Sequence, residues 1–331
     1  MIFSKLDSNS PSPTFSPSST MPDNCPYCKM LQPFFTFGRL FGQLHITRSS
    51  NPLYRSFLKA YCTFLCIILF GTVVRIAFFF EPAKEGLHST TVMKLLSISY
   101  FTMSFGSHLC LILVQSKIGL IFPNLRCLFG CPKQILGSVK RVSYMMIALT
   151  VMMAAANALM VPTINLDIIH MPFIPTFVER IPNLVWIDGL IVWFMQISVT
   201  YCVGFYTVLC TVIKKNLVHL RYWMAEDTNV RSVFIFQRKF QFLLDITLIV
   251  DSQFRHYCFF MFALATPLFC TTLYVLVNDK QMQTFTFIIL CFWLIIIALQ
   301  MLLVGVPAAM IQDEVSDIWG IIGCRRVVCD Y

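Results

Sequence analysis

Residues 283–305 read QTFTFIILCFWLIIIALQMLLVG, with no Asp, Glu, Lys or Arg and no proline. A helix rises ~1.5 Å per residue, so a run of this length matches the ~30 Å hydrocarbon core of a bilayer. Unpaired backbone amides are too costly in hydrocarbon, and a single segment satisfies all of its own amides only as a helix. The run is therefore read as a membrane-spanning helix, and it sets the fold class: an all-α, polytopic transmembrane helix bundle.

Working outward, a tight Asn278-Asp279-Lys280 turn separates this span from another apolar run at 254–278, and further runs lie at 57–80, 90–116, 139–162 and 184–212. That makes about six spans. The whole chain agrees: of 331 residues, 57% are hydrophobic and only 12% charged, against about 25% charged in soluble domains. The net charge of +9 is spread between apolar runs and forms no basic face, which argues against a nucleic-acid partner.

The flanking charges set the threading. Ahead of the first span lie Lys5, Lys29, Arg39, Arg48 and Arg55 against Asp7 and Asp23, whereas the next loop holds Lys84 against Glu81 and Glu85. Loop 117–141 carries Lys117, Arg126, Lys133, Lys140 and Arg141 with no acid, and loop 163–183 has Arg180 against Asp167 and Glu179. The N-terminus is expected inside the cell, and six crossings return the C-terminus there. Residues 1–29 are expected to form a disordered, Ser/Pro-rich cytoplasmic tail without a cleavable leader. The bundle is expected to cover 30–305, and a cytoplasmic tail 306–331, where the apolar stretch around Trp319 is too short to cross.

Segment 213–253 is patterned rather than loose. Leu217, Leu220 and Met224 recur at helical spacing, and so do Val233, Phe236, Phe240 and Leu243. They predict a helical extension into the cytosol, packed along these stripes.

Two stretches carry a family resemblance. Residues 30–44 read MLQPFFTFGRLFGQL, with Leu40, Phe41 and Gly42 at its end, and residues 238–277 carry Asp251-Ser252-Gln253-Phe254 and Tyr274. Both resemble insect gustatory receptors and their nematode gustatory-receptor-like relatives. An inside N-terminus, a long fourth-to-fifth connection and a very short fifth-to-sixth loop fit that family, and G-protein-coupled receptors have the opposite orientation. The resemblance implies a chemosensory receptor of the plasma membrane, assembled as a homo- or hetero-tetramer around a shared pore, with an outer-facing pocket for a small ligand and cation flow as output. It also implies a seventh, pore-lining span with a Thr-Tyr…Gln-Phe signature, which has no counterpart by residue 331. The alternatives are a G-protein-coupled-type chemoreceptor, or a truncated, non-conducting modulator or orphan membrane protein.

Candidate ligand residues follow from topology. Arg75 and Asp188 fall at comparable depth, where a buried pair would form a latch or ligand contact, although each is equally placed to snorkel to the interface. Tyr100, Asn157, Trp186, Trp193, Phe194 and Gln196 fall in the outer half as an aromatic and polar set, the composition of small-molecule pockets and also of interface belts. Cys324 and Cys329 flank Arg325 and Arg326 and are candidate acylation sites.

No metal or cofactor site is expected. Cys25 and Cys28 have the CxxC spacing, but no second ligand pair accompanies them, and the six histidines are scattered. Most of the fourteen cysteines lie inside apolar runs, where Cys behaves as a small hydrophobe, and the predicted external loops hold none. Paired carboxylates, a nucleophile elbow and a phosphate loop are all missing from the sequence, which argues against an enzyme.

Overall fold

The structure, a computed structural model, describes residues 26–45, 51–78, 89–118, 133–160, 185–226, 230–280 and 282–329. Every element among them is helical: α1 (Pro26–Met30), α2 (Gln32–Leu40), α3 (Pro52–Phe78), α4 (Ser89–Ile118), α5 (Lys133–Met160), α6 (Val185–Glu226), α7 (Val230–Asn278) and α8 (Thr284–Cys329). Six of them, α3 to α8, are long and apolar enough to cross a membrane.

Helix α6 is the axis of the bundle. In its most apolar window 94% of the residues are buried inside the protein, and it packs against α4, α5, α7 and α8. Helix α3 sits at the periphery, in contact with α4. It buries the stripe Leu58, Cys62, Cys66 and Leu69 and turns Leu53, Phe57, Phe64, Ile67 and Phe70 outward. Outward Leu and Phe suit a lipid solvent as well as the core does, so hydrophobicity alone does not drive these helices together.

The same solvent explains the hydroxyl bonding. Ser107 donates to Met103 O at 2.7 Å, Ser143 to Val139 O at 2.9 Å, Thr150 to Met146 O at 2.7 Å and Thr272 to Leu268 O at 2.7 Å, each one turn back along its own helix. Such back-bonds satisfy a polar side chain without a partner from outside the helix.

Helix α8 outruns the span expected to end at 305. Its buried stripe Leu290, Ile297, Val304, Ile311 and Ile318 keeps a seven-residue period straight across Pro307. Contacts with α6 keep that period too. Thr207 donates to Leu303 O at 2.9 Å, Lys214 Nζ lies 3.2 Å from Met310 Sδ, and Arg221 pairs with Glu314 at 3.1 Å and with Asp317. A constant offset between partners means that α6 and α8 run parallel and in register, and a seam repeating every seven residues keeps facing its partner over many turns. That seam holds α8 to the bundle past residue 305, through Ile318 and Ile322.

The N-terminal boundary also moves. Residues 26–29, expected in the tail, belong to α1, where Tyr27 is buried and its hydroxyl bonds Asn216 Oδ1 at 3.1 Å. The patterned stripes of 213–253 lie in α6 and α7, and Leu217, Leu220, Met224, Phe236, Phe240 and Leu243 are all buried.

Candidate functional site

Polar side chains on four spans converge beside α6. Tyr100 on α4 donates its hydroxyl proton to Gln196 Oε1 on α6, and Asn157 Nδ2 on α5 donates to the same oxygen at 2.5 Å. Gln196 Nε2 passes on to Thr200 Oγ1 at 2.8 Å, and Gln300 Nε2 on α8 donates to the Tyr100 hydroxyl at 3.2 Å. Trp293, two turns before Gln300, sets its ring 6.1 Å from that of Tyr100. All four helices bring these residues toward one end of the bundle, because α4, α6 and α8 begin there and Asn157 lies near the end of α5.

The cluster is not closed. Asn157 Oδ1, Gln300 Oε1 and Trp293 Nε1 are buried and have no hydrogen-bond partner. A buried polar atom left unpaired costs about 1–3 kcal/mol, and three around one tyrosine mark a place built for a water or a ligand.

A second cluster ties the N-terminal segment to the bundle. His108 Nε2 on α4 donates to the Cys62 carbonyl of α3 at 2.9 Å, and its Nδ1 lies 3.0 Å from Gln43 Oε1. Gln43 Nε2 donates to Ser198 Oγ on α6 at 2.8 Å and to Phe41 O at 3.2 Å. Beside it Phe34 stacks on Tyr201 with centroids 4.6 Å apart, and the Tyr201 hydroxyl donates to Phe34 O at 3.1 Å. Its members already have polar partners, so it reads as a brace.

The expected ligand residues divide accordingly. Tyr100, Asn157 and Gln196 meet. Trp193 instead packs edge-on against Phe41 at 5.2 Å, and Phe194 joins Leu69, Phe101 and Met195 with its ring 6.4 Å from His108. The side chains of Arg75, Trp186, Asp188, Cys324 and Cys329 lie outside the described residues, and with them the proposed Arg75–Asp188 pair.

Of the family-like motif residues, Leu40 is exposed at the end of α2, Gly42 turns the chain and Phe41 is half-buried. Phe254 is fully buried, its ring 5.2 Å from that of Tyr206. Asp251 is exposed and pairs with Arg255 at 2.5 Å, and Ser252 donates to Ile249 O at 2.9 Å. Gln253 Nε2 donates to Ser252 Oγ at 3.2 Å, and Tyr274 faces outward.

Sequence reading missed Thr200, Trp293 and Gln300. One signal was present: Trp293, Gln300, Pro307 and Glu314 repeat every seven residues beside the buried stripe of α8, which puts a Gln into a packed seam. No group of three or more potential metal ligands occurs among the described residues. An open groove of about 460 Å³ along α3, lined by Ser56, Lys59, Ala60, Thr63, Phe64 and Ile67, shares no residue with either cluster.

Solved structures of an insect olfactory receptor share this fold. Insect olfactory receptor OR5 from Machilis hrabei matches with a TM-score of 0.69 and 14% identity over 87% of this chain and 81% of that one. The same receptor in complex with eugenol matches with a TM-score of 0.69 and 16% identity over 87% and 82%. No family profile and no curated protein matches the chain.

Proposed function

We propose that this chain is a chemosensory receptor of the plasma membrane, of the gustatory-receptor-like type, with its N-terminus in the cytoplasm. It binds a small organic ligand in the outer half of the bundle, and ligand occupancy gates cation flow through a tetramer. The observation that carries this is the open polar cluster: Tyr100, Asn157, Gln196, Trp293 and Gln300 arrive from four spans, and three of them leave a buried polar atom unpaired. Water-excluded sites with a few convergent polar groups on an apolar wall are where small ligands bind. The fold supports the reading as well, since a solved protein of this architecture was captured with a small organic molecule, eugenol.

The test is whole-cell recording from cells expressing the full chain, challenged with a panel of small neutral organics. A ligand-evoked inward cation current is expected, with Gln196→Leu shifting half-maximal activation at least tenfold, because Gln196 accepts two hydrogen bonds and donates a third. Ligand binding without current would replace the channel with a non-conducting receptor. Currents indifferent to Gln196→Leu would move the site elsewhere.

A further inference from the structure

We infer that the ligand of this cluster is a small neutral diol, held by Asn157, Gln300 and Trp293; the inference rests on reading the cluster as the ligand site. The hydrogen bonds run through the site in one order. Gln300 donates to Tyr100, Tyr100 donates to Gln196, Asn157 donates to Gln196, and Gln196 donates to Thr200. Each amide therefore has its N–H₂ turned into the chain, and turning one over would break a bond that exists. What is left over is two carbonyl oxygens, Asn157 Oδ1 and Gln300 Oε1, and one indole N–H, Trp293 Nε1.

The complement of two acceptors and one donor is a ligand with two donors and one acceptor. A carboxylate would face two carbonyl oxygens and leave both unpaired. An ammonium has donors but no acceptor for the indole N–H, and no acidic residue takes part in these bonds to offset its charge in a low-dielectric site. A hydrocarbon leaves all three atoms unpaired, and a simple alcohol leaves one carbonyl unpaired. Two hydroxyls satisfy all three, because each donates once and either accepts from the indole. The carbon chain would lie along the rings of Trp293 and Tyr100.

The test uses the full chain in lipid nanodiscs, with calorimetric titration of hexane-1,2-diol, hexane-1,3-diol and hexane-1,4-diol, their dimethyl ethers, and hexan-1-ol. At least one diol is expected to bind about tenfold more tightly than hexan-1-ol and about a hundredfold more tightly than its ether, one factor of ten for each hydrogen bond lost. Asn157→Leu should erase the diol's advantage over hexan-1-ol. If that variant does not fold, Trp293→Phe, which keeps the ring and removes only the N–H, should weaken the best diol about tenfold. Ethers that bind as well as the diols, yet are still weakened by either variant, overturn the diol and leave the site standing. No binding by any probe, or binding that neither variant alters, overturns the site reading and the diol together.

Discussion

Gly42 shows how single residues hold this molecule in shape. It has φ +63°, a conformation that costs residues with a Cβ about 1–2 kcal/mol, and a Cβ there would run into Leu65 and lie 3.0 Å from the Tyr61 ring. The turn aims Gln43 at His108 and Ser198, so strain at residue 42 reaches two helices through one amide. Gly42→Ala should lower the stability of the purified chain by about 1–3 kcal/mol, read as a fall in thermal midpoint. Gly71→Ala, where an added methyl meets nothing within 4 Å, should leave the midpoint in place. In the site, a single polar residue on an apolar helix was the legible signal: Asn157 and Gln196 stood out because lipid has nothing to offer an amide. Trp193 and Phe194 stood out for the same aromatic character but face the brace: at about 100° per residue Phe194 points about 160° away from Gln196 and Trp193 about 60°, and Trp193 packs on Phe41 while Phe194 lies beside His108.

At the scale of elements, α1 and α2 dock onto α5 and α6, and the docking ends at His45. Its backbone N–H donates to Gln115 Oε1 at 2.6 Å, and its Nδ1 is buried without a partner. Burial, and then the charge of Lys59, hold the imidazole below its ordinary 6.5. A histidine with a lowered value binds fewer protons when docked than when released, so docking is at full strength above pH 6.5 and weakens as pH falls from there through the docked value. Protection factors for amide exchange across 26–45, taken against the intrinsic rates at each pH, should therefore fall at pH 5.5 relative to pH 7.5 while α6 stays protected, and His45→Gln should remove the difference. Equal protection at both pH values in the native chain would contradict this. Helix α8 was legible as a span but not as a helix of this length, because the stretch after residue 305 carries charges and an apolar run around Trp319 too short to cross, which together read as a tail. In space those charges are partners: Glu314 and Asp317 meet Arg221.

The whole molecule is organised by its solvent. Lipid matches the greasy exterior of α3 as well as the protein interior does, so the bundle is held by close packing, hydrogen bonds and the parallel α6–α8 seam rather than by transfer of apolar surface from water. The charge asymmetry of the connecting segments then decides which end faces the cytoplasm. A tag at residue 1 should resist an impermeant label on intact cells and react after permeabilisation, and a tag inserted at 163–183 should react on intact cells. The reverse pattern would invert the threading and place the Tyr100–Gln196 cluster at the cytoplasmic end, out of reach of external ligands.

The apolar runs and the charges between them determined, without any coordinates, the helical class, the span count and the predicted threading, because each is a local response of one segment to lipid or to the charged interface. Which polar side chains share a site was decided only by the tertiary structure. Tyr100, Asn157, Gln196 and Gln300 are separated by up to 200 positions and meet because α6 is ringed by its neighbours, and no local pattern encodes which helix stands in the middle. Their unpaired atoms, which carry the functional reading, come into being only when those four helices close around them.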